Sequence, residues 1–199
     1  MSSAGSVPGD ERLRLFLGLQ LPDDVVEALA EWQERELRGR IVPPHNLHVT
    51  LAFLGSRPAG ELESICGVLE EEAAAVASPQ LIGARYRETR SVGMLVFSDT
   101  TGNGALLAGR LHERLAGLGV YEPERRAWLP HITVLRYRER PRLSPPLAPP
   151  LAPPLAPAPP ELPIVAPSDA AAFVSRLHPS GAVYEVLESF PLNRRRSGG

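Results

Sequence analysis

The apolar positions fall into short blocks whose spacing changes from two to three-or-four along the chain. RLRLFLGLQL, residues 12–21, reads as a strand that stops at Pro22. Asp23 and Asp24 follow, suited to a helix N-terminus by capping and by the dipole. Val25, Val26, Leu29 and Trp32 then share one helical face, which predicts a helix running to about Arg38. Past Pro43 and Pro44, NLHVTLAFLG reads as a second strand closed by Gly55. Residues 61–77 predict another helix, with Leu62, Ile65, Leu69 and Val76 as its buried stripe.

The second half repeats the order. VGMLVFSD reads as a strand, TGN as a turn, and 104–118 as a helix with Leu107, Leu111, Leu115 and Leu118 inward. WLPHITVLR is again a strand. Strand–helix–strand therefore occurs twice, and each copy ends in His-x-Thr, with His131 lying 83 positions after His48. That separation is too long for a solenoid repeat and suits a duplicated half-domain. SDAAAFVSRL and VYEVLESFPL close the pattern as two strands joined by a His-Pro-Ser-Gly turn. One folded unit over 12–193 is expected, between a disordered N-terminus at 1–11 and a flexible basic tail at 194–199.

Residues 141–163 break the pattern. They hold 11 of the 22 prolines, including PPLAPPLAPPLA, and few core-forming side chains. Such a segment lacks backbone donors and favours polyproline II. It reads as an exposed insertion within the folded unit, and no partner can be assigned to it.

Composition then narrows the chemistry. The net charge is −2, and all 21 basic residues are arginine. Without lysine there is no P-loop, no Schiff base and no lysyl-nucleotidyl ligase. A near-neutral chain does not coat nucleic acid in bulk, although a short RNA end remains compatible. One cysteine, Cys66, excludes an internal disulfide or a cysteine-rich zinc site, and it reads as a packing residue. No apolar run reaches membrane-span length and no secretory signal precedes residue 12, so a cytoplasmic protein, monomeric and not membrane-bound, is expected.

Side chains alternate between the faces of a strand. In NLHVTLAFLG this sets Leu47, Val49, Leu51 and Phe53 toward a core, with His48, Thr50 and Ala52 on the other face. In PHITVL, Ile132 and Val134 point inward while His131 and Thr133 share the opposite face. A lone strand histidine is usually a hydrogen-bonded structural residue. Two His-x-Thr units on matching strands of a repeat point instead to two imidazoles converging on one cleft. Imidazole serves as acid or base near neutral pH, and threonine hydroxyls can hold non-bridging phosphate oxygens. Opening a cyclic phosphodiester needs that set: a base for the attacking water, an acid for the leaving ribose oxygen, and no metal.

NLHVTLAFLG and RAWLPHITVLR resemble the paired H-x-T-x signatures of the two-histidine (2H) phosphoesterases. The likeness is to the bacterial and archaeal RNA 2′,3′-cyclic phosphodiesterases, also called 2′-5′ RNA ligases. It runs from RLFLGLQLP to YEVLESFPL, leaving out the proline insertion and both tails. The resemblance implies an α+β bilobal duplicated fold, with antiparallel-rich sheets, helices outside and a central groove between lobes. It implies hydrolysis of terminal RNA 2′,3′-cyclic phosphates to 2′-phosphomonoesters, without cofactor or metal. His48 would be the proton donor, His131 the acceptor, and Thr50 and Thr133 the phosphate ligands; the residues alone leave the order of the two histidines open. Arg136 matches a family arginine associated with phosphate, but strand parity sets it opposite His131 unless the strand bulges. Trp128 is a candidate for stacking on a base, worth about 1–3 kcal/mol, or for a hydrophobic lid. Reversible ATP-independent ligation, another small cyclic-phosphate nucleotide as substrate, and non-catalytic RNA-end binding stay open.

His45 reads as a surface loop residue, His112 as solvated on its helix beside Glu113, and His178 as a turn residue. The Arg194–Arg196 run reads as an exposed basic tail suited to RNA contact.

Overall fold

The computed structural model describes residues 11–123, 126–137, 157–178 and 181–193. Residues 1–10, most of the proline-rich stretch (141–156) and the tail 194–199 lie outside the described residues, as do 179–180 of the predicted turn.

An antiparallel sheet carries the fold. Its strands are β1 (Arg12–Gln20), β2 (Arg40–Ile41), β3 (His48–Pro58), β4 (Leu81–Glu88), β5 (Val92–Asp99), β6 (His131–Arg136), β7 (Asp169–His178) and β8 (Gly181–Pro191). Their order is β4-β5-β6-β3-β1-β7-β8, with β2 added on β6. The described helices are α1 (Asp23–Glu36), α2 (Leu62–Ala75) and α3 (Asn103–Gly117). The two His-x-Thr strands, far apart in sequence, are neighbours at the centre. There they share a single ladder pair, Val49 with Ile132, whereas β1 with β3 and β7 with β8 pair along nearly their full lengths. The two halves therefore form one curled sheet joined at a thin seam.

The sheet has one thick face. Val25, Leu29 and Trp32 of α1, Ile65 and Leu69 of α2, and Leu107, Leu111 and Leu115 of α3 pack with Leu15, Leu17, Leu19, Val49, Leu95 and Ile132 in one cluster. The other face holds a smaller cluster, Phe16, Ala171 and Phe173 with Tyr184 packed against it. No helix among the described residues is long and apolar enough to cross a membrane.

Several local expectations change. Asp23 and Asp24 occupy the first turn of α1 but form no side-chain cap, so they act on the helix dipole alone. Leu118 is exposed because α3 ends at Gly117 and the chain turns before the stripe completes. The strand β4, left unassigned by the sequence pattern, alternates too little for detection. The described end of the proline-rich stretch is docked: the carbonyl of Ala158 accepts a hydrogen bond from the buried Trp32 indole at 2.8 Å. Burial of that indole demands a partner for its N–H, and the stretch supplies it.

Phe53 is 59% exposed, contrary to the core position that simple alternation assigns. The β1–β3 register skips Leu51 and Leu54, so each is an extra residue on β3. The first bulge shifts parity by one. Ala52 and Leu54 become buried, and Phe53 turns to the open face, 5.9 Å from Phe16.

Leu69 is fully buried on the thick face, away from the open one. Leu69→Ala is expected to cost about 2–5 kcal/mol of unfolding free energy in urea titrations, with the kinetic constants of the folded fraction unchanged.

Candidate active site

Antiparallel partners run in opposite directions from a shared pair. The Val49–Ile132 pair therefore sets His48 across from Thr133 and Thr50 across from His131. All four are alternate residues on the open face. They form a square with the imidazoles on one diagonal and the hydroxyls on the other, and such diagonal neighbours lie about 7–8 Å apart. An anion centred on the square meets a ring from each side.

The two rings are held alike. The Nδ1–H of His48 donates to the carbonyl of Asn46 at 2.7 Å, and that of His131 to the carbonyl of Leu129 at 2.9 Å. Each bond fixes the tautomer with Nε2 as the proton acceptor. Pro43 and Pro44 lead into the 3-10 turn Pro44–Asn46 that carries the first carbonyl.

Their surroundings differ. His48 is 9% exposed and lies against Phe16, Tyr184 and Phe173, with ring centroids 4.7, 5.4 and 5.6 Å away. Gly18 makes this possible, since a Cβ there would lie 3.3 Å from the imidazole Cδ2. Burial pushes the His48 pKa down to about 4; the Asn46 carbonyl opposes this, while Arg136 and His131 add to it. His131 is half-buried and lines a cavity of about 380 Å³ together with Thr50, Thr133 and Arg136. His48 is not on that wall. Its Nε2 meets the hydroxyl of Thr50, which is on that wall, at 3.0 Å.

Arg136 reaches the cleft because the β5–β6 register skips Val134. The resulting bulge turns Arg136 to the same face as His131, and Ile132, Val134 and Leu135 are all buried behind it. Trp128 lines the cavity, but its indole N–H donates to the carbonyl of Thr50 at 2.9 Å. Its ring presses on Gly104, where a Cβ would lie 2.7 Å away. Trp128 thus braces Thr50 as well as offering a ring edge.

His112 is not solvated as expected. Its Nε2–H donates to the carbonyl of Leu51 at 2.8 Å, its ring stacks on Tyr121 at 4.6 Å, and it reaches the cavity wall. His45 and His178 are exposed, and Cys66 is buried. Among the described residues, no three His, Cys, Asp or Glu side chains cluster as a metal site would require.

Sequence reasoning missed Asn46, Gly18, Phe16, Phe173 and Tyr184. In RLRLFLGLQL a glycine between apolar neighbours is a signal of close approach, and Phe16 and Gly18 share a face. Nothing comparable marks Tyr184.

A family model described as LigT-like phosphoesterase matches residues 19–82. The chain is 34% identical over 194 residues to an RNA 2′,3′-cyclic phosphodiesterase of Thermus thermophilus, covering 90% of each. The solved structure of TT0787 from the same organism superposes with a TM-score of 0.72 at 32% identity, covering 90% of this chain and 98% of that one. E. coli LigT complexed with 3′-AMP gives 0.71 at 23% identity, covering 92% and 100%, a likeness of fold.

The lowered His48 pKa has a thermodynamic consequence. Between its ordinary value of 6.5 and the folded value of about 4, the unfolded chain binds this proton and the folded chain does not. Stability therefore falls as pH drops through that window, by about 3 kcal/mol in total. Denaturant titrations at pH 7, 5.5 and 4 are expected to show this slope, and His48→Asn to flatten it by about one proton.

Proposed function

The chain belongs to the LigT-like two-histidine phosphoesterases, and on that premise we propose that it hydrolyses terminal RNA 2′,3′-cyclic phosphates to 2′-phosphomonoesters, with His48 and His131 as the acid–base pair. The observation that carries the assignment is the square of alternating imidazole and hydroxyl corners set by the Val49–Ile132 pair. Water attacks phosphorus on the side of His131, whose Nε2 takes the proton as the bond forms. The P–O3′ bond breaks on the far side, and the departing O3′ takes its proton from His48 Nε2. Thr50, Thr133 and the Arg136 guanidinium hold the non-bridging oxygens, where charge gathers in the transition state.

The difference in burial supports this division of labour. His131 opens on the cavity, where water enters. His48 is dry and neutral in the empty cleft, with its pKa near 4. A phosphate anion moving against it favours the charged ring, so substrate binding itself draws the proton onto the acid. The Thr50 hydroxyl lies 3.0 Å from His48 Nε2, so a phosphate held by Thr50 brings its leaving oxygen beside the acid. The terminal nucleoside lies along the exposed Phe53 and Leu129 side chains of the same cavity, with Trp128 at its edge and Arg87 at the rim.

The test is product analysis on an RNA ending in a 2′,3′-cyclic phosphate, with EDTA present. A 2′-phosphate is expected, and His48→Ala and His131→Ala should each lower kcat/KM by at least about 100-fold. A 3′-phosphate product, or full activity in both variants, would falsify the assignment, and a joined product with a 5′-hydroxyl RNA would report ligation. The pH profile of kcat/KM is expected to be bell-shaped, with its acid limb near the His48 value of about 4. A monotonic profile removes the acid–base pair.

A further inference from the structure

The open face is asymmetric. On the β5–β6 side it is a cavity, and on the β1–β7–β8 side it is filled by aromatic rings. Tyr184 stands in that filled half and touches both working ends of the site. Its hydroxyl accepts a hydrogen bond from Arg136 Nη2 at 2.8 Å. Its ring edge meets the His48 ring at an interplanar angle of 79° and the Phe16 ring at 71°. Its backbone N–H donates to Asn46 Oδ1 at 2.9 Å, while Asn46 Nδ2 donates to the carbonyl of Ala182 at 2.8 Å. Asn46 is the residue whose own carbonyl receives the His48 Nδ1–H.

We propose that Tyr184 is a positioning residue that aligns Arg136 through its hydroxyl and His48 through its ring and its clasp on Asn46. β8 is an edge strand of the sheet, and the Asn46 amide bonds to its free edge as a short strand would. That clasp ties the turn ahead of β3 to the C-terminal hairpin. An arginine on the strand after a bulge has many rotamers and loses them on binding, at a cost in affinity. A hydroxyl on one Nη restricts them beforehand. Among the described residues this is the hydrogen bond made by the Arg136 side chain, so the other guanidinium N–H groups remain for phosphate oxygens. The ring packs edge-on against the His48 imidazole at 5.4 Å. The titratable or charged groups facing His48 are Arg136 and His131 on β6 and Tyr184 on β8, while β1 and β7 present Phe16, Gly18 and Phe173.

The inference rests on reading Arg136 and His48 as phosphate-site groups, so its readouts include two that need no turnover. The full chain and its Tyr184→Phe, Tyr184→Leu and Tyr184→Ala variants are compared by calorimetric binding of inorganic phosphate, by NMR titration of the His48 ring, and by kcat and KM on cyclic-phosphate-ended RNA. Tyr184→Phe keeps the ring and loses the hydroxyl. It is expected to weaken phosphate binding and raise KM together by about 3- to 10-fold, with kcat within about twofold and the His48 midpoint unmoved. Tyr184→Ala opens the pocket to water, and the His48 midpoint is expected to climb from about 4 by about one unit or more, carrying the acid limb of kcat/KM with it. Tyr184→Leu, which keeps apolar bulk, supplies the same reading with a smaller rise if the alanine variant does not fold. Wild-type phosphate affinity in Tyr184→Phe overturns the hold on Arg136. An unchanged His48 midpoint in the Leu or Ala variant overturns the hold on His48. A wild-type chain that binds phosphate yet leaves cyclic-phosphate RNA intact overturns the hydrolase reading instead, and the binding and titration results still decide this one.

Discussion

The site depends on one antiparallel pair. Val49 and Ile132 are both fully buried on the thick face of the sheet, and their burial is worth about 1.5–3 kcal/mol each. That hydrophobic contact fixes the register between β3 and β6, and the register fixes which groups meet on the open face. A slip of one residue on either strand would send its imidazole into the core and its apolar residues into the cleft. The chemistry thus needs no direct bond between the two motifs. It needs the apolar residues lying between their polar ones, backed by α1, α2 and α3.

Strict alternation supplies the square but not the arginine. Arg136 reaches the cleft because Val134 is an extra residue, and the bulge is supported from behind. The Gln33 amide, 1% exposed, donates to the carbonyls of Val42 and Val134 at 3.1 and 2.9 Å. Val42 N–H donates to the same Val134 carbonyl at 3.0 Å. Gln33 Oε1 is buried without a partner among the described residues, a deficit of about 1–3 kcal/mol. The two hydrogen bonds that Gln33 Nε2 makes oppose that cost. A buried polar group on the thick face therefore serves a charge on the open one, through the backbone of β6.

Periodicity made the helices, most of the strands and both histidines legible, because each rests on a local pattern a single face imposes. What escaped was non-local or off-period. Phe53 sits just past a bulge, where counting by twos fails by one residue, and the bulge on which the Arg136 candidate depended is likewise invisible to that count. Leu118 continues an apolar stripe that the chain abandons when α3 ends. Tyr184 lies in a strand whose composition says nothing about the cleft, since its partners Asn46, Arg136 and Phe16 come from three other segments. His112 looked solvated because the carbonyl that takes its proton belongs to Leu51, an unpaired bulge residue that no sequence pattern reveals.

The duplication gives two similar histidines, and the sheet then makes them different. Each donates Nδ1–H to the carbonyl two residues upstream, so the backbone treats them alike. The second layer does not. On one side of the seam Gly18 lets the His48 ring sink among Phe16, Phe173 and Tyr184. On the other, no aromatic stack among the described residues covers His131, and the cavity opens. An acid and a base drawn from the same residue type must differ in proton affinity when the anion is bound, and must face different media. Desolvation achieves both, because a charge excluded from water responds more strongly to a nearby counter-charge than an exposed one does. The dry ring is neutral while the cleft is empty and becomes the stronger responder once a phosphate arrives. The wetter ring faces the cavity, as the proposed base must. Symmetry of the chain brings the pair together, and asymmetry of the packing gives the two rings the different surroundings that the proposed acid and base require.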